Sequence, residues 1–94
     1  MNSFSSPSLR TSETLVGSLC QEVDGLRRRA SHLHAAMSRC GNHLLFERLR
    51  RELGNLQQRH WELQRAARSL AATAGRDSLA VAFLLELTRR PLAG

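Results

Sequence analysis

Two long stretches of the chain repeat apolar residues at alternating spacings of three and four positions. The first stretch interleaves two rows, Val16, Val23, Ala30 and Met37 with Leu19, Leu26, Leu33 and Cys40. The second interleaves Phe46, Leu53, His60, Ala67 and Ala74 with Leu49, Leu56, Leu63 and Leu70. This heptad spacing is typical of helices that pack side by side. The pattern predicts two long helices, over residues 12–40 and 43–74.

Capping residues mark the ends of these predicted helices. Ser12 offers a capping hydroxyl at the start of the first helix. Gly41 is expected to end that helix in the left-handed conformation, and Asn42 to cap the second. Residues 1–11 are rich in serine, contain Pro7 and show no period. We therefore expect them to form a disordered N-terminal arm.

A third, shorter helix is predicted over residues 78–89. Asp77 or Ser78 can cap its start, and Pro91 stops it. Its residues are apolar nearly all round, so we expect it to be buried on more than one side. At about 18 Å, against about 40 Å or more for the long helices, it can cover only part of them. Whether it packs within the chain or across a dimer stays open.

A turn at residues 40–42 sets a register between the two long helices. In an antiparallel pair the facing residues then have numbers that sum to about 82. On one flank this places Glu22 beside Arg59 and Arg29 beside Glu52, both of opposite charge. We therefore predict an all-α fold class. It is an antiparallel two-helix hairpin, coiled-coil-like, with a short third C-terminal helix, and residues 12–90 form a single helical domain.

Composition limits the classes of protein that the chain can represent. The formal net charge is +6 at pH 7, and arginine carries all of the basic charge because lysine is absent. We interpret this bias mainly as GC-rich coding, which weakens any inference of nucleic-acid binding. Cys20 and Cys40 would lie about 30 Å apart on one helix, too far for a disulfide. The longest apolar run is too short to span a membrane. These features predict a cytoplasmic protein.

No group of residues has the spacing of an active site or a metal site. Serine, histidine and acid do not occur in a catalytic pattern, so we expect no enzyme and no cofactor. Cys40 and His43 lie close together, but His32 and His34 point about 200° apart on a helix and cannot bind one ion. We therefore predict no metal. His60 is expected to be either a hydrogen-bonded, partly buried histidine or a pH-sensitive or partner-contacting group.

Apart from Phe46, which belongs to the second heptad row, the candidate residues for a protein interface lie outside the two main seams. Trp61 falls on the outer face of the second helix, where it either packs beneath the third helix or forms a binding hot spot. The predicted interface consists of Phe46, Trp61, Arg65, Arg68, Phe83 and Leu84. The outward arginines also suit nucleic acid, but Glu47 and Glu62 interrupt them, so nucleic acid is the less favoured partner.

The residues around the predicted turn follow a recognisable order, Leu33-xxx-Met37-x-Arg39-x-Gly41-Asn42-xxx-Phe46-xxxx-Arg51-Glu52-xxx-Leu56. Over residues 15–70 the chain resembles the small helical-hairpin co-chaperones of type III secretion needle subunits. The resemblance implies a cytoplasmic, non-enzymatic protein that binds a tetratricopeptide-repeat chaperone and helps to keep a needle subunit monomeric. Two alternatives stay open. One is a homodimeric helical-bundle scaffold or regulator, and the other is an arginine-rich nucleic-acid-binding regulator.

Overall fold

The computed structural model describes the backbone of residues 7–74 and 78–92, and the side chains of residues 14–73 and 78–92. Within these ranges the chain forms three helices and no strand: α1 over Pro7–Ser38, α2 over His43–Ala74 and α3 over Leu79–Arg89. The predicted all-α class is confirmed. α1 and α2 each contain 32 residues, so each is about 48 Å long. α3 contains 11 residues.

α1 begins at Pro7, five residues before the predicted start at Ser12. The prediction of a disordered arm is therefore wrong for residues 7–11, and residues 1–6 lie outside the described part of the chain. The physical reason is the position of the proline. The first amide of a helix needs no partner, and the fixed φ of proline suits helical backbone, so Pro7 starts a helix instead of preventing one.

The connection between α1 and α2 is short and hydrogen-bonded. The amides of Arg39 and Cys40 each bond back to a carbonyl three residues earlier, both at 3.2 Å, which tightens the end of α1. Gly41 lies outside the left-handed range of φ, so the expected glycine termination is wrong. Asn42 caps α2, since its Oδ1 accepts a hydrogen bond from the amide of Leu45 at 2.9 Å.

The inner faces of α1 and α2 form the core along their length. The buried side chains there are Val16, Val23, Ala30 and Leu33 from α1 and Leu53, Leu63 and Ala67 from α2. All of these belong to the heptad rows of the sequence. Burial of these apolar faces is the main source of stability for helices that would be marginal alone in water.

Charged residues on one flank join the two long helices. Arg29 donates from Nε and Nη2 to one oxygen of Glu52, at 2.9 and 2.6 Å. Arg59 donates to both carboxylate oxygens of Glu22, and these bonds lower the pKa of Glu22. The residue that lies later in α1 therefore pairs with the residue that lies earlier in α2. Both ion pairs have the register expected from the sequence.

α3 packs within the chain, against both long helices. Its buried residues are Val81, Leu84 and Thr88, which lie on one face. Val81 and Leu84 join a cluster with Val16, Val23, Leu63 and Ala67. The expectation that α3 is buried on more than one side is wrong, because its opposite face remains exposed.

Arg27 and Leu92 hold the C-terminal end of α3 in place. Arg27 of α1 donates to the carbonyls of Pro91 at 2.6 Å, Leu87 at 3.0 Å and Arg90 at 3.4 Å. The last carbonyls of a helix lack intrahelical partners and carry partial negative charge. A guanidinium donates hydrogen bonds to these carbonyls, and its positive charge interacts favourably with them. Leu92 is then buried in a second cluster, with Ala30, Leu33 and Leu53.

Candidate interaction surfaces

Trp61 lies on the outer side of α2 with an arginine stacked on it. The indole is 50% exposed, so Trp61 is not covered by α3. The guanidinium carbon of Arg65 lies 4.9 Å from the centroid of the indole ring, within cation–π range. Arg68, one turn further along, is also exposed. We call Trp61, Arg65 and Arg68 the Trp61 face. Its members were all predicted from the sequence.

The outer face of α3 exposes two large apolar side chains. Leu79 is 86% exposed and Phe83 is 59% exposed, and they lie one turn apart on the same side of the helix. Leu84, also predicted at an interface, is fully buried in the core. Adjacent residues of a helix point about 100° apart, so placing Leu84 inward turns Phe83 outward. Leu84 is therefore a core residue and not part of the surface.

A third surface lies beside the turn between α1 and α2. Phe46 is half-buried there, and it lies about 22 Å along α2 from Trp61. Leu44 is 80% exposed and Leu45 is also exposed. We call Leu44, Leu45 and Phe46 the turn-end patch. Neither leucine was predicted from the sequence. The position of Leu44 outside the heptad rows was the signal that it could be exposed.

The surface has more positive charge than it can pair internally. The chain has eight acidic residues, and the side chains of all except Glu13 and Asp77 are described. Each of these six carboxylates lies within 3.9 Å of an arginine. Among the described side chains, the arginines without an acidic partner are Arg27, which bonds backbone carbonyls instead, and Arg39, Arg48, Arg51, Arg65, Arg68 and Arg90.

His60 is a half-buried titratable group of α2 that lies near Arg27. Its Nε2 is buried and makes no hydrogen bond to a described residue, so the hydrogen bond expected at a seam histidine is absent at this atom. Burial lowers the pKa of His60, and the charge of Arg27 lowers it further. Both effects disfavour the protonated form of the ring in the folded chain.

The remaining residues with metal-binding or redox chemistry are dispersed. Cys20 and Cys40 are free and half-buried. Burial raises the pKa of the Cys20 thiol, which keeps it protonated and poorly nucleophilic at neutral pH. The Sγ of Cys40 donates to the carbonyl of Asn42 at 3.2 Å. Across residues 14–73 and 78–92, no three histidine, cysteine or acidic side chains come close enough to hold a metal ion.

Comparison of the chain with known protein families, with curated proteins and with solved structures finds no match. None of the helices in the described part of the chain has the length and apolar content needed to cross a membrane. The chain's own exposed surfaces are therefore the features that bear on its function. These are the Trp61 face, the outer face of α3 and the turn-end patch.

Proposed function

We propose that the chain is a non-enzymatic protein–protein interaction module, an antiparallel coiled-coil-like hairpin of α1 and α2 with α3 packed against its open end. The order of the ion pairs between α1 and α2 supports the antiparallel arrangement. The observation that carries the function is the exposure of large apolar side chains on helices whose inner faces already fill a core. Leu44, Leu79 and Phe83 are 80%, 86% and 59% exposed, and grouped apolar surface often marks an interaction site.

The specific form of the proposal is a cytoplasmic co-chaperone of a type III secretion needle subunit. Its support is the resemblance of the residues around the turn to that family. In this form the turn-end patch binds in the helical groove of a tetratricopeptide-repeat chaperone, with Leu44 and Leu45 as apolar anchors. A hairpin that completes the groove of another protein needs such side chains at its surface. The patch supplies them at the turn between α1 and α2, away from α3.

A second candidate, the homodimeric scaffold, is favoured by one separate observation. Leu79 and Phe83 form an apolar row on a face of α3 that no other described part of the chain covers. A two-fold axis would pair this row with the same row of a second copy, as isologous interfaces require. The two candidates therefore use different surfaces, which makes them separable by mutation.

The test compares two matched double variants in two settings. One carries Leu44→Gln and Leu45→Gln, and the other carries Leu79→Gln and Phe83→Gln. Light scattering during size exclusion gives the mass of each chain alone, at two concentrations and at low and high salt. Co-expression with a tetratricopeptide-repeat chaperone and a needle subunit then gives the composition of any complex. Two leucine-sized anchors contribute about 3 kcal/mol to an interface, or roughly 100-fold in affinity.

Each candidate predicts a different pattern. The co-chaperone forms a ternary complex that the turn-end variant loses and the α3 variant keeps. The homodimer has twice the chain mass alone, and only the α3 variant reduces it. A chain that is monomeric, binds neither protein and gains mass with duplex DNA at low salt would overturn the proposal in favour of a nucleic-acid-binding regulator.

A further inference from the structure

The outer side of α2 presents a row of exposed residues that suits a second helix. Its large side chains are Trp61, Arg65 and Arg68, all exposed. The row has small residues towards both ends, Gly54 and Ala72, which are exposed as well. A Cβ built at Gly54 would meet no atom within 4 Å. A helix laid along this face could approach closely at both ends and meet the large side chains at its centre.

Arg65 is held in an orientation that suits recognition of a carboxylate. Its guanidinium lies over the Trp61 ring with its carbon 4.9 Å from the ring centroid. A stacked guanidinium keeps its N–H edges free, and a planar fork of donors matches a carboxylate with two parallel hydrogen bonds. Arg65 and Arg68 lie three residues apart, so their Cβ atoms are about 5–6 Å apart. Two acidic residues one turn apart on a partner helix have a similar spacing.

The ion pairs of the chain indicate where those carboxylates come from. All six acidic side chains that the structure describes already lie beside arginines of the same chain. Arg65 and Arg68 have no acidic partner among the described residues. The described part of a second copy therefore offers no carboxylate without an arginine beside it, so charge complementarity favours an acidic segment of a different protein as the partner.

The arrangement fits a protein partner better than nucleic acid. Tracking a phosphate backbone needs many cations along a continuous path. Here two arginines stand beside Trp61, and the adjacent Glu62 places a carboxylate, paired with Arg59, at the edge of the face. The charge is local and matches a small number of acidic groups.

We propose that the Trp61 face binds an acidic amphipathic helix of another protein. An apolar side chain of that helix covers the indole of Trp61, and two carboxylates one turn apart pair with Arg65 and Arg68. This inference rests on the proposed function only in assuming a binding module, and it does not require the co-chaperone form.

The test selects helical peptides from a displayed random library on the full chain. Selected peptides are then titrated into the wild-type chain and two variants. One variant carries Arg65→Gln and Arg68→Gln. The control carries Arg39→Gln and Arg48→Gln, which removes the same charge from two exposed arginines without acidic partners in the described chain. Arg48 lies about 20 Å along α2 from Trp61. Trp61 is the only tryptophan, so its emission and its quenching by acrylamide report directly on this face.

We expect the selected peptides to be enriched in acidic residues three or four positions apart beside an apolar residue. They should shift Trp61 emission to shorter wavelength and protect it from acrylamide. Loss of both arginines should weaken binding by about tenfold or more, whereas the control should stay within about twofold of wild type. Enrichment without an acidic pattern, or equal weakening in the two variants, would refute the inference. So would a duplex DNA probe that protects Trp61 better than any peptide.

The two proposals fail separately. If peptide binding is independent of Arg65 and Arg68 while the variant at Leu44 and Leu45 still loses the chaperone complex, that result refutes only this inference. If the peptides bind as expected and neither apolar variant changes any assembly, the apolar surfaces are not the binding sites and the Trp61 face remains as the functional surface.

Discussion

Replacing Arg27 by methionine removes the side chain that holds the end of α3 against α1, while it keeps an apolar stem of similar length. The guanidinium bonds three carbonyls, from Leu87, Arg90 and Pro91, that lie at least 60 residues away in sequence. These carbonyls are at the C-terminal end of α3, where the partial negative charge of the helix is concentrated. Methionine can neither donate a hydrogen bond nor carry charge, so the variant isolates this connection.

The expected loss of stability follows from the geometry. The bonds to Pro91 at 2.6 Å and Leu87 at 3.0 Å are charge-assisted, and each contributes about 1 kcal/mol at a partly exposed site. The bond to Arg90, at 3.4 Å, is weak. The interaction of the charge with the helix end adds about 0.5 kcal/mol. The free energy of unfolding should therefore fall by about 2.5 kcal/mol and Tm by roughly 10–15 °C.

Urea unfolding followed by far-ultraviolet circular dichroism measures this change. Arg48→Met is the control, because Arg48 is exposed and has no ion pair to a described residue. It should change stability by less than about 0.5 kcal/mol. An NMR titration provides a second readout, since Arg27 lowers the pKa of His60 and its removal should raise that pKa. If Arg27→Met unfolds within about 0.5 kcal/mol of wild type and leaves the His60 pKa unchanged, Arg27 does not hold α3 in place.

Two further predictions concern pH and the pairing of the helices. Because the pKa of His60 is lower in the folded chain than its ordinary value of 6.5, the unfolded chain binds the proton more readily. Stability should therefore fall as pH drops below about 6.5. His60→Gln should have a shallower dependence on pH in urea unfolding between pH 7.5 and 5.5, and equal slopes would contradict the assignment. Arg29→Glu should destabilise the chain by roughly 0.5–1 kcal/mol by facing Glu52, and adding Glu52→Arg should restore most of the loss. Equal stability of the single and double variants would mean that the pair does not join α1 to α2.

The candidate surfaces were only partly predictable from the sequence. The stacking of Arg65 on Trp61 follows from their spacing of four residues on the outer side of a helix. The sequence predicts Leu84 at an interface, but Leu84 is buried, because a run of apolar residues does not show which member faces the core. Leu44 was missed, since an apolar residue beside a turn is exposed only if no other element covers it.

Apart from the start and the termination of α1, the sequence alone determined the two long helices and the ion pairs that join them. A helix repeats every 3.6 residues, so a heptad row shows which side will be buried. A short connection then sets the register, and Glu22 with Arg59 and Arg29 with Glu52 could be paired in advance.

Only the tertiary structure decided where α3 lies and which of its side chains reach solvent. α3 is apolar on nearly every side, so many positions would bury a similar area, and the hydrophobic effect has no direction. Its position depends on directional contacts between residues far apart in sequence, above all the bonds from Arg27 to carbonyls in the last turn of α3 and just beyond it. The burial of Leu92 beside Ala30 adds to them. These contacts turn Leu84 inward and leave Phe83 exposed, because a helix is rigid and orienting one side chain orients all the others.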